Sequence, residues 1–163
     1  GERTPINDPL ARGLIAGLTL SHSRAHIYRA LLEGVAYGVR HNLEALAAAG
    51  EPPQRLVAIG GGVQNQLWLQ IVSDVTGQAQ VVRTTPGAAY GDAFLAGVGV
   101  GLFSNIEAIQ TWLRPTAQVI QPNPALKAHY DQYYQLYQTL YTSTRSVTHA
   151  LAQLGAGRKE EPT

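Results

Sequence analysis

Apolar residues recur every three or four positions between Ile27 and Leu46, which is the spacing of one face of a long helix. Ser23 precedes this stretch and can cap the helix, because its side-chain oxygen can accept a backbone hydrogen bond. Gly50 can end the helix, and the two prolines just beyond prevent further extension. The segment before Ser23 is rich in proline, glycine and Asn/Asp neighbours, and we expect it to be irregular and packed.

A strand–helix–strand–helix order follows this first helix. Residues 56–59 are a short apolar run that predicts a buried strand, and three glycines end it. The next helix is expected to begin near Asn65 and to stop at Gly77. Residues 80–83 then predict a second strand, and another helix follows. This order indicates an α/β layer architecture.

The helix expected after Pro86 carries small residues on one face. Gly87, Gly91, Leu95 and Gly99 are each four positions apart. Because glycine costs about 1 kcal/mol in a helix interior, we expect this face to lie directly against another backbone.

Two further helices are predicted near the end of the chain. Residues 104–107 form a capping-box pattern that opens a short helix, which ends at Arg114 and Pro115. Asn123 followed by Pro124 opens the last long helix. The apolar stripe expected on that helix consists of Leu126, Tyr130, Tyr133, Tyr137, Leu140 and Tyr141. Residues 1–154 are expected to form one domain, and residues 155–163 a flexible tail.

Composition narrows the class of protein. The chain has 163 residues, of which 45% are hydrophobic and 14% charged, as expected for one globular domain. The net charge is +1 and the basic residues are scattered, which argues against a nucleic-acid partner. No apolar run is long enough to cross a membrane. Cysteine is absent, so disulfides and thiolate metal sites are excluded, in keeping with a cytoplasmic protein. Methionine is also absent, and we expect Gly1 to be an internal residue of a longer protein.

The candidate chemistry lies at residues 60–65, GGGVQN, between a predicted strand and a predicted helix. Glycines allow backbone amides to approach a ligand closely, and a helix N-terminus adds partial positive charge. Such a turn suits a nucleotide, although a tight turn without a ligand is an equal alternative. Asn65 stands where G-x-G-x-x-G needs its third glycine, and no P-loop lysine follows.

Longer stretches around this turn resemble one family. The runs GGGVQNQLWLQIVSDVTGQAQVV and PGAAYGDAFLAGVGVGLF, with the opening GERTPINDPLARGLIAGLTLSHSRAHIYRALLEGVAYGVRHNLE, are similar to the C-terminal domain of FGGY carbohydrate kinases. The resemblance covers roughly residues 1–103. It implies an α/β lobe of the actin-like ATPase (ribonuclease H-like) type, in which a small sheet is flanked by helices.

The resemblance also implies roles for single residues. Backbone at Gly61 and the side chain of Asn65 would contact the adenosine part of ATP, and Gly60 and Gly62 would shape the turn. One departure is that Thr85 and Pro86 stand before Gly87, where many members carry glutamate. The family's catalytic aspartate has no counterpart in this chain.

The implied parent enzyme is an ATP-dependent sugar kinase. It would transfer the γ-phosphoryl group of ATP to a sugar hydroxyl, with a pentulose such as xylulose as the acceptor. Mg²⁺ and the ATP phosphates would be held mainly by an N-terminal lobe that precedes this chain. Because phosphoryl transfer depends on positioning and charge stabilisation, we expect the chain alone to be inactive.

Other candidate sites have simpler explanations. His22 and His26 could share a metal ion with Glu33 as a distant ligand, but a capped helix start with exposed imidazoles explains them more simply. Asp92 could serve as a base, or could close a packed hinge. The Glu2–Arg3 pair could border a cleft between lobes, or form a salt bridge that fixes its loop.

Two rival classes of function remain open. One is a Rossmann-like dinucleotide module, against which the missing third glycine counts. The other is a non-catalytic interaction domain, a possible homodimer, whose tyrosine-rich last helix docks a partner.

Overall fold

Three short strands form one sheet in the computed structural model, which describes residues 1–83, 88–109 and 118–157. The strands are β1 (Leu56–Ala58), β2 (Gln80–Val82) and β3 (Gln118–Ile120), and they lie in that order. β1 and β2 are parallel, with Val57 opposite Val81, whereas β2 and β3 are antiparallel, with Val81 opposite Val119. The sequence pattern predicts β1 and β2 but not β3.

Four α-helices lie in the described part of the chain: α1 (Arg24–Ala48), α2 (Gln66–Thr76), α3 (Ala88–Gly99) and α4 (Lys127–Gly157). Short 3-10 turns occur at Gly61–Gln64, Ile106–Ala108 and Pro124–Leu126. The helix–strand order confirms the predicted α/β architecture. None of the helices in the described ranges is both long and apolar enough to span a bilayer.

Helix ends follow the predicted local chemistry. The N–H of Ser23 donates to Nδ1 of His26 at 3.0 Å and so begins α1. Gly50 follows α1 with a φ of +92°. Gly77 ends α2 with a φ of +69°, a conformation that favours glycine. Asn123 accepts a hydrogen bond from the N–H of Ala125 at 3.1 Å, with Pro124 at the first helical position.

Helix α2 is the centre of the hydrophobic core. On one side Leu69 packs with Val82 of β2 and Ile120 of β3. On the other side α2 packs against α1 and α4, so the sheet, α2 and the α1–α4 pair form successive layers. The residues between α2 and the α1–α4 pair form the second cluster of buried residues: Ala36, Tyr37, Ile71, Val72, Val75, Tyr130 and Tyr134.

Buried polar groups join α2 to the sheet. Ser73 is fully buried, and its hydroxyl donates to the backbone oxygen of Ile120 at 3.1 Å. The side-chain amide of Gln80 donates to Ser73 Oγ at 2.8 Å and to the Leu69 carbonyl at 2.7 Å. Since a buried polar group without a partner is costly, these hydrogen bonds hold α2 in one position on the sheet.

A charged network joins α1 to α4. Nη1 of Arg40 donates to Oδ1 of Asp131 at 2.7 Å, and its Nε donates to Glu44 at 2.9 Å. The Arg40 guanidinium lies 4.2 Å from the centre of the Tyr134 ring. The hydroxyl of Tyr134 in turn donates to Glu44 at 2.7 Å. Burial, and then this hydrogen bond, raise the pKa of Tyr134.

The loop of residues 2–8 is anchored to the far part of α4. Glu2 and Asp8 exchange two backbone hydrogen bonds of 2.7 Å, which close the loop. The Asp8 side chain is only 5% exposed, and its Oδ2 lies 2.6 Å from His149 Nε2 and 2.7 Å from the Tyr141 hydroxyl. Hydrogen bonds from His149 and then Tyr141 hold the pKa of Asp8 well below its ordinary value. The loop is therefore fixed by Asp8 and by backbone bonds, while Glu2 and Arg3 are exposed.

Two buried segments predicted from the sequence are exposed in the structure. In the strand predicted at 56–59, Val57 is 44% and Ile59 61% exposed, whereas Ala58 packs on the core. Alternate strand residues point to opposite faces, so the described residues cover one face of β1 only. Residues 12–20 are irregular as expected, but they are exposed rather than packed, and Leu20 is fully exposed.

The glycine face of α3 is also different from the prediction. A Cβ atom at Gly91 or Gly99 would meet no atom of the described residues within 4 Å, and Leu95 is 54% exposed. Gly87 lies outside the described residues. The close approach occurs instead at Gly97, where a Cβ would lie 2.6 Å from the Phe103 ring. The chain reverses after α3, which brings Phe103 back onto the helix.

Three details at the later elements need correction. Asn105, not Ser104, caps the short turn by accepting a hydrogen bond from the N–H of Ala108 at 3.2 Å. The predicted end of that helix, at residues 114–115, lies outside the described residues. In the apolar stripe of α4, Tyr134 is buried while Tyr133 is 51% exposed, because Tyr134 faces α1. Helix α4 continues to Gly157, within the segment predicted as a tail.

Candidate functional site

The turn after β1 depends on glycine at Gly60. This residue has φ +83° and ψ −165°, a backbone region that is essentially restricted to glycine. The chain then makes a 3-10 turn over Gly61–Gln64, in which the Val63 N–H donates to the Gly60 carbonyl at 3.3 Å. This turn places Asn65 at the start of α2, as the sequence predicts.

Asn65 caps α2 with its side chain. Its Oδ1 accepts a hydrogen bond from the Trp68 N–H at 3.1 Å, which satisfies one of the free amides at the helix start. Its Nδ2 donates to the hydroxyl of Tyr28 at 3.3 Å. The other Nδ2 hydrogen has no acceptor among the described residues, so it can be donated to a ligand.

Backbone amides at this turn are also available. Within the described ranges, the N–H groups of Gly61, Gly62, Gln66 and Leu67 have no hydrogen-bond acceptor. The partial positive charge of the α2 N-terminus lies at the same place. The arrangement can therefore bind a group that is rich in hydrogen-bond acceptors.

The Trp68 ring packs against the turn at Gly62. Its ring lies so close to Gly62 that a Cβ there would overlap with Cζ3 of the ring and lie 3.0 Å from Cε3. The indole Nε1 is buried and has no partner in the described part of the chain. Beside the ring is an apolar groove of about 260 Å³, open to solvent and lined by β1 and by Val39, Gly62, Val63, Trp68, Leu69, Val72 and Gln80.

Tyr28 is the residue at this site that sequence reasoning missed. It follows Ile27, off the apolar face predicted for α1, and it is 53% exposed. A large aromatic residue on the polar side of a helix is the only signal in the sequence, and it does not indicate which turn the side chain contacts.

The structure explains His22 and His26 without a metal ion. Nδ1 of His22 accepts a hydrogen bond from the Thr19 N–H at 2.9 Å, and Nδ1 of His26 accepts one from the Ser23 N–H at 3.0 Å. In this tautomer each Nε2 carries the hydrogen and offers no lone pair to a metal. Glu33 is paired with Arg29 at 2.7 Å. In the described part of the chain, no three His, Asp or Glu side chains are grouped as metal ligands.

Asp92 lies 27 positions after Asn65 in the sequence. It is on α3 and is exposed. It therefore does not close a packed hinge among the described residues.

Comparison with known proteins decides the family. Residues 1–100 match the FGGY family of carbohydrate kinases, C-terminal domain. The chain belongs to this family. The resemblance noted in the sequence is thereby confirmed.

Similar proteins include several xylulose kinases. The chain is 32% identical to the xylulose kinase of Staphylococcus epidermidis over 149 residues, which is 91% of the chain and 30% of that protein. The crystal structure of the xylulose kinase from Rhodospirillum rubrum superposes with a TM-score of 0.75 at 35% identity, over 87% of the chain and 29% of that protein. For the Brucella ovis enzyme the TM-score is 0.77 at 33% identity, over 90% and 31%.

These FGGY relatives confirm the predicted fold class, an α/β lobe of the actin-like ATPase type. They also show that the chain spans about 30% of the length of the relatives it matches. Residues of those enzymes outside the matched part have no counterpart in this chain.

Proposed function

We propose that this FGGY domain is the adenosine-binding part of an ATP-dependent sugar kinase, with a pentulose such as xylulose as the sugar. The observation that carries the proposal is the turn at Gly60–Asn65, where several backbone amides near the start of α2 have no acceptor among the described residues. The names of the relatives support the choice of reaction and sugar.

Each residue of the turn has a role in this proposal. Gly60 supplies the unusual backbone conformation, and Gly62 makes room for the Trp68 ring. Backbone at Gly61 lies against the adenosine. Asn65 donates its remaining Nδ2 hydrogen to the base or the ribose, while its Oδ1 keeps α2 capped.

Mg²⁺ belongs to the remainder of the enzyme in this proposal. The described residues present no cluster of carboxylates or imidazoles that fits a metal ion. No step of the reaction is therefore assigned to a metal ligand in this chain.

The proposal predicts binding of ADP. ADP at 100 times its Kd should stabilise the chain by about 2.7 kcal/mol, seen as a raised melting temperature, and NAD, which contains the same adenosine, should stabilise it no more than ADP does. Asn65→Asp should lower this stabilisation by about 0.5–1.5 kcal/mol, because aspartate keeps the helix cap but lacks the Nδ2 donor.

Asn105→Asp is the matched control. Asn105 also caps a turn with its side chain, but it lies outside the proposed site, so this variant should respond to ADP like the wild type. Stabilisation by NAD alone would favour a dinucleotide-binding module. A chain that ignores both nucleotides and dimerises tightly would favour an interaction domain.

The proposal also predicts that the chain alone does not phosphorylate xylulose. The base that accepts the hydroxyl proton, and most of the phosphate-binding loops, would lie in the remainder of the enzyme. A coupled assay for ADP release, with ATP, Mg²⁺ and xylulose, should show no signal above a blank without protein. Sugar-dependent ADP release by the purified chain would show this division of roles to be wrong.

A further inference from the structure

Tyr28 joins α1 to the glycine turn. Its hydroxyl accepts the hydrogen bond from Asn65 Nδ2 at 3.3 Å, although the two residues are 37 positions apart. The Tyr28 side chain is 53% exposed, so the core does not account for its position.

Tyr28 and Asn65 together have two donor hydrogens without an acceptor in the described part of the chain. A phenol has one O–H donor in addition to its acceptor lone pairs, and the bond from Asn65 uses a lone pair. The phenolic hydrogen of Tyr28 therefore has no acceptor in the described part of the chain. The second Nδ2 hydrogen of Asn65 lies beside it. Two adjacent donors suit a ligand that presents acceptors, such as the ring nitrogens of a base or the oxygens of a ribose.

The ring of Tyr28 adds an apolar surface to these donors. Leu31, one turn later on the same face of α1, is also 53% exposed. An aromatic ring flanked by an aliphatic side chain is a suitable platform for a flat base, because stacking requires only an accessible ring face.

We propose that Tyr28 is a nucleoside-binding residue, whose ring packs against the nucleoside and whose hydroxyl donates a hydrogen bond to it. This inference rests on the proposed function, since it places the adenosine of ATP between α1 and the glycine turn. It assigns part of the binding site to a helix that the glycine motif does not include.

The test uses two substitutions, which separate the ring from the hydroxyl. The dissociation constants of ADP and of adenosine are measured by calorimetry for the wild-type chain, Tyr28→Phe and Tyr28→Ala. Phenylalanine keeps the ring and removes one hydrogen bond, so binding should weaken by ~3-fold to 10-fold. Alanine removes both contacts, so binding should weaken by ~30-fold or more. The ratios should be similar for ADP and adenosine, because the contact is with the nucleoside.

Tyr133 provides a matched control on α4. It is 51% exposed, and Tyr133→Phe and Tyr133→Ala should leave both dissociation constants unchanged. The melting temperature of each unliganded variant is recorded, so that loss of folded protein is not mistaken for loss of affinity.

The outcomes distinguish the role of Tyr28 from the proposed function on which it rests. If the wild type binds ADP and both Tyr28 variants bind it equally well, the role of Tyr28 is overturned and the proposed function stands. Equal weakening in the two variants would overturn the ring contact, because a residue that only orients Asn65 through its hydroxyl gives that result. Absence of ADP binding by the wild type would overturn the proposed function, and the role of Tyr28 with it.

Discussion

Replacing Gly62 by alanine is expected to lower the free energy of unfolding by about 2–3 kcal/mol, in the upper part of the range for overpacked sites. The new Cβ would overlap with Cζ3 of Trp68 and lie 3.0 Å from Cε3. The indole is a rigid ring that packs against the second cluster of buried residues, so any shift of the ring disturbs that packing. The turn or the ring must move, and core contacts are lost.

Gly61→Ala is the control for this substitution. A Cβ at Gly61 would meet no atom within 4 Å in the described part of the chain, and surface substitutions of this kind usually change stability by less than about 0.5 kcal/mol. Urea unfolding followed by circular dichroism would compare the two variants with the wild type. Equal stabilities for Gly61→Ala and Gly62→Ala would contradict the close packing of Trp68 on the turn.

Arg40→Ala is expected to cost about 2–3 kcal/mol of stability, since hydrogen bonds to charged groups contribute about 1.5–3 kcal/mol. The Arg40 side chain is 19% exposed and bonds to Asp131 on α4 and Glu44 on α1. Its guanidinium also lies over the Tyr134 ring. Alanine would leave Asp131 without its partner from α1 and would remove this packing at the α1–α4 interface.

Lys127→Ala tests whether any cation beside Asp131 has the same effect. Lys127 bonds to the other oxygen of Asp131 at 2.7 Å, but its side chain is 64% exposed and lies on the same helix. Exposed pairs of this kind contribute about 0–1 kcal/mol. The two variants would be compared by urea unfolding at low and at moderate salt. If Lys127→Ala cost as much as Arg40→Ala, the argument from burial and from the contact between helices would be wrong.

Features that depend on neighbouring residues could be predicted from the sequence. Ser23, Asn65 and Asn123 each stand at a helix or turn start, where a short polar side chain can accept or arrange local hydrogen bonds. Gly77 ends α2 because its positive φ is easily adopted by glycine. The candidate turn could be located for the same reason, although its ligand stays a prediction.

Features that depend on distant residues could not be predicted. Tyr133 and Tyr134 are adjacent and chemically identical, and only the position of α1 determines that Tyr134 is buried. Tyr28 meets Asn65 because α1 and α2 pack together, which no local pattern reveals. The exposed residues of β1 were predicted as buried because an apolar run does not show how many faces of a strand are covered.

The anchoring of Asp8 has a consequence for the order of events during synthesis. A ribosome synthesises the chain from its amino end towards its carboxyl end. Asp8 therefore emerges 133 residues before Tyr141 and 141 residues before His149. Until α4 has been made, this carboxylate stays hydrated and lacks the side chains that hold it in the finished domain. Docking of the loop at residues 2–8 is therefore a late event of folding, whereas α1 and α2 can pair as soon as both have left the ribosome.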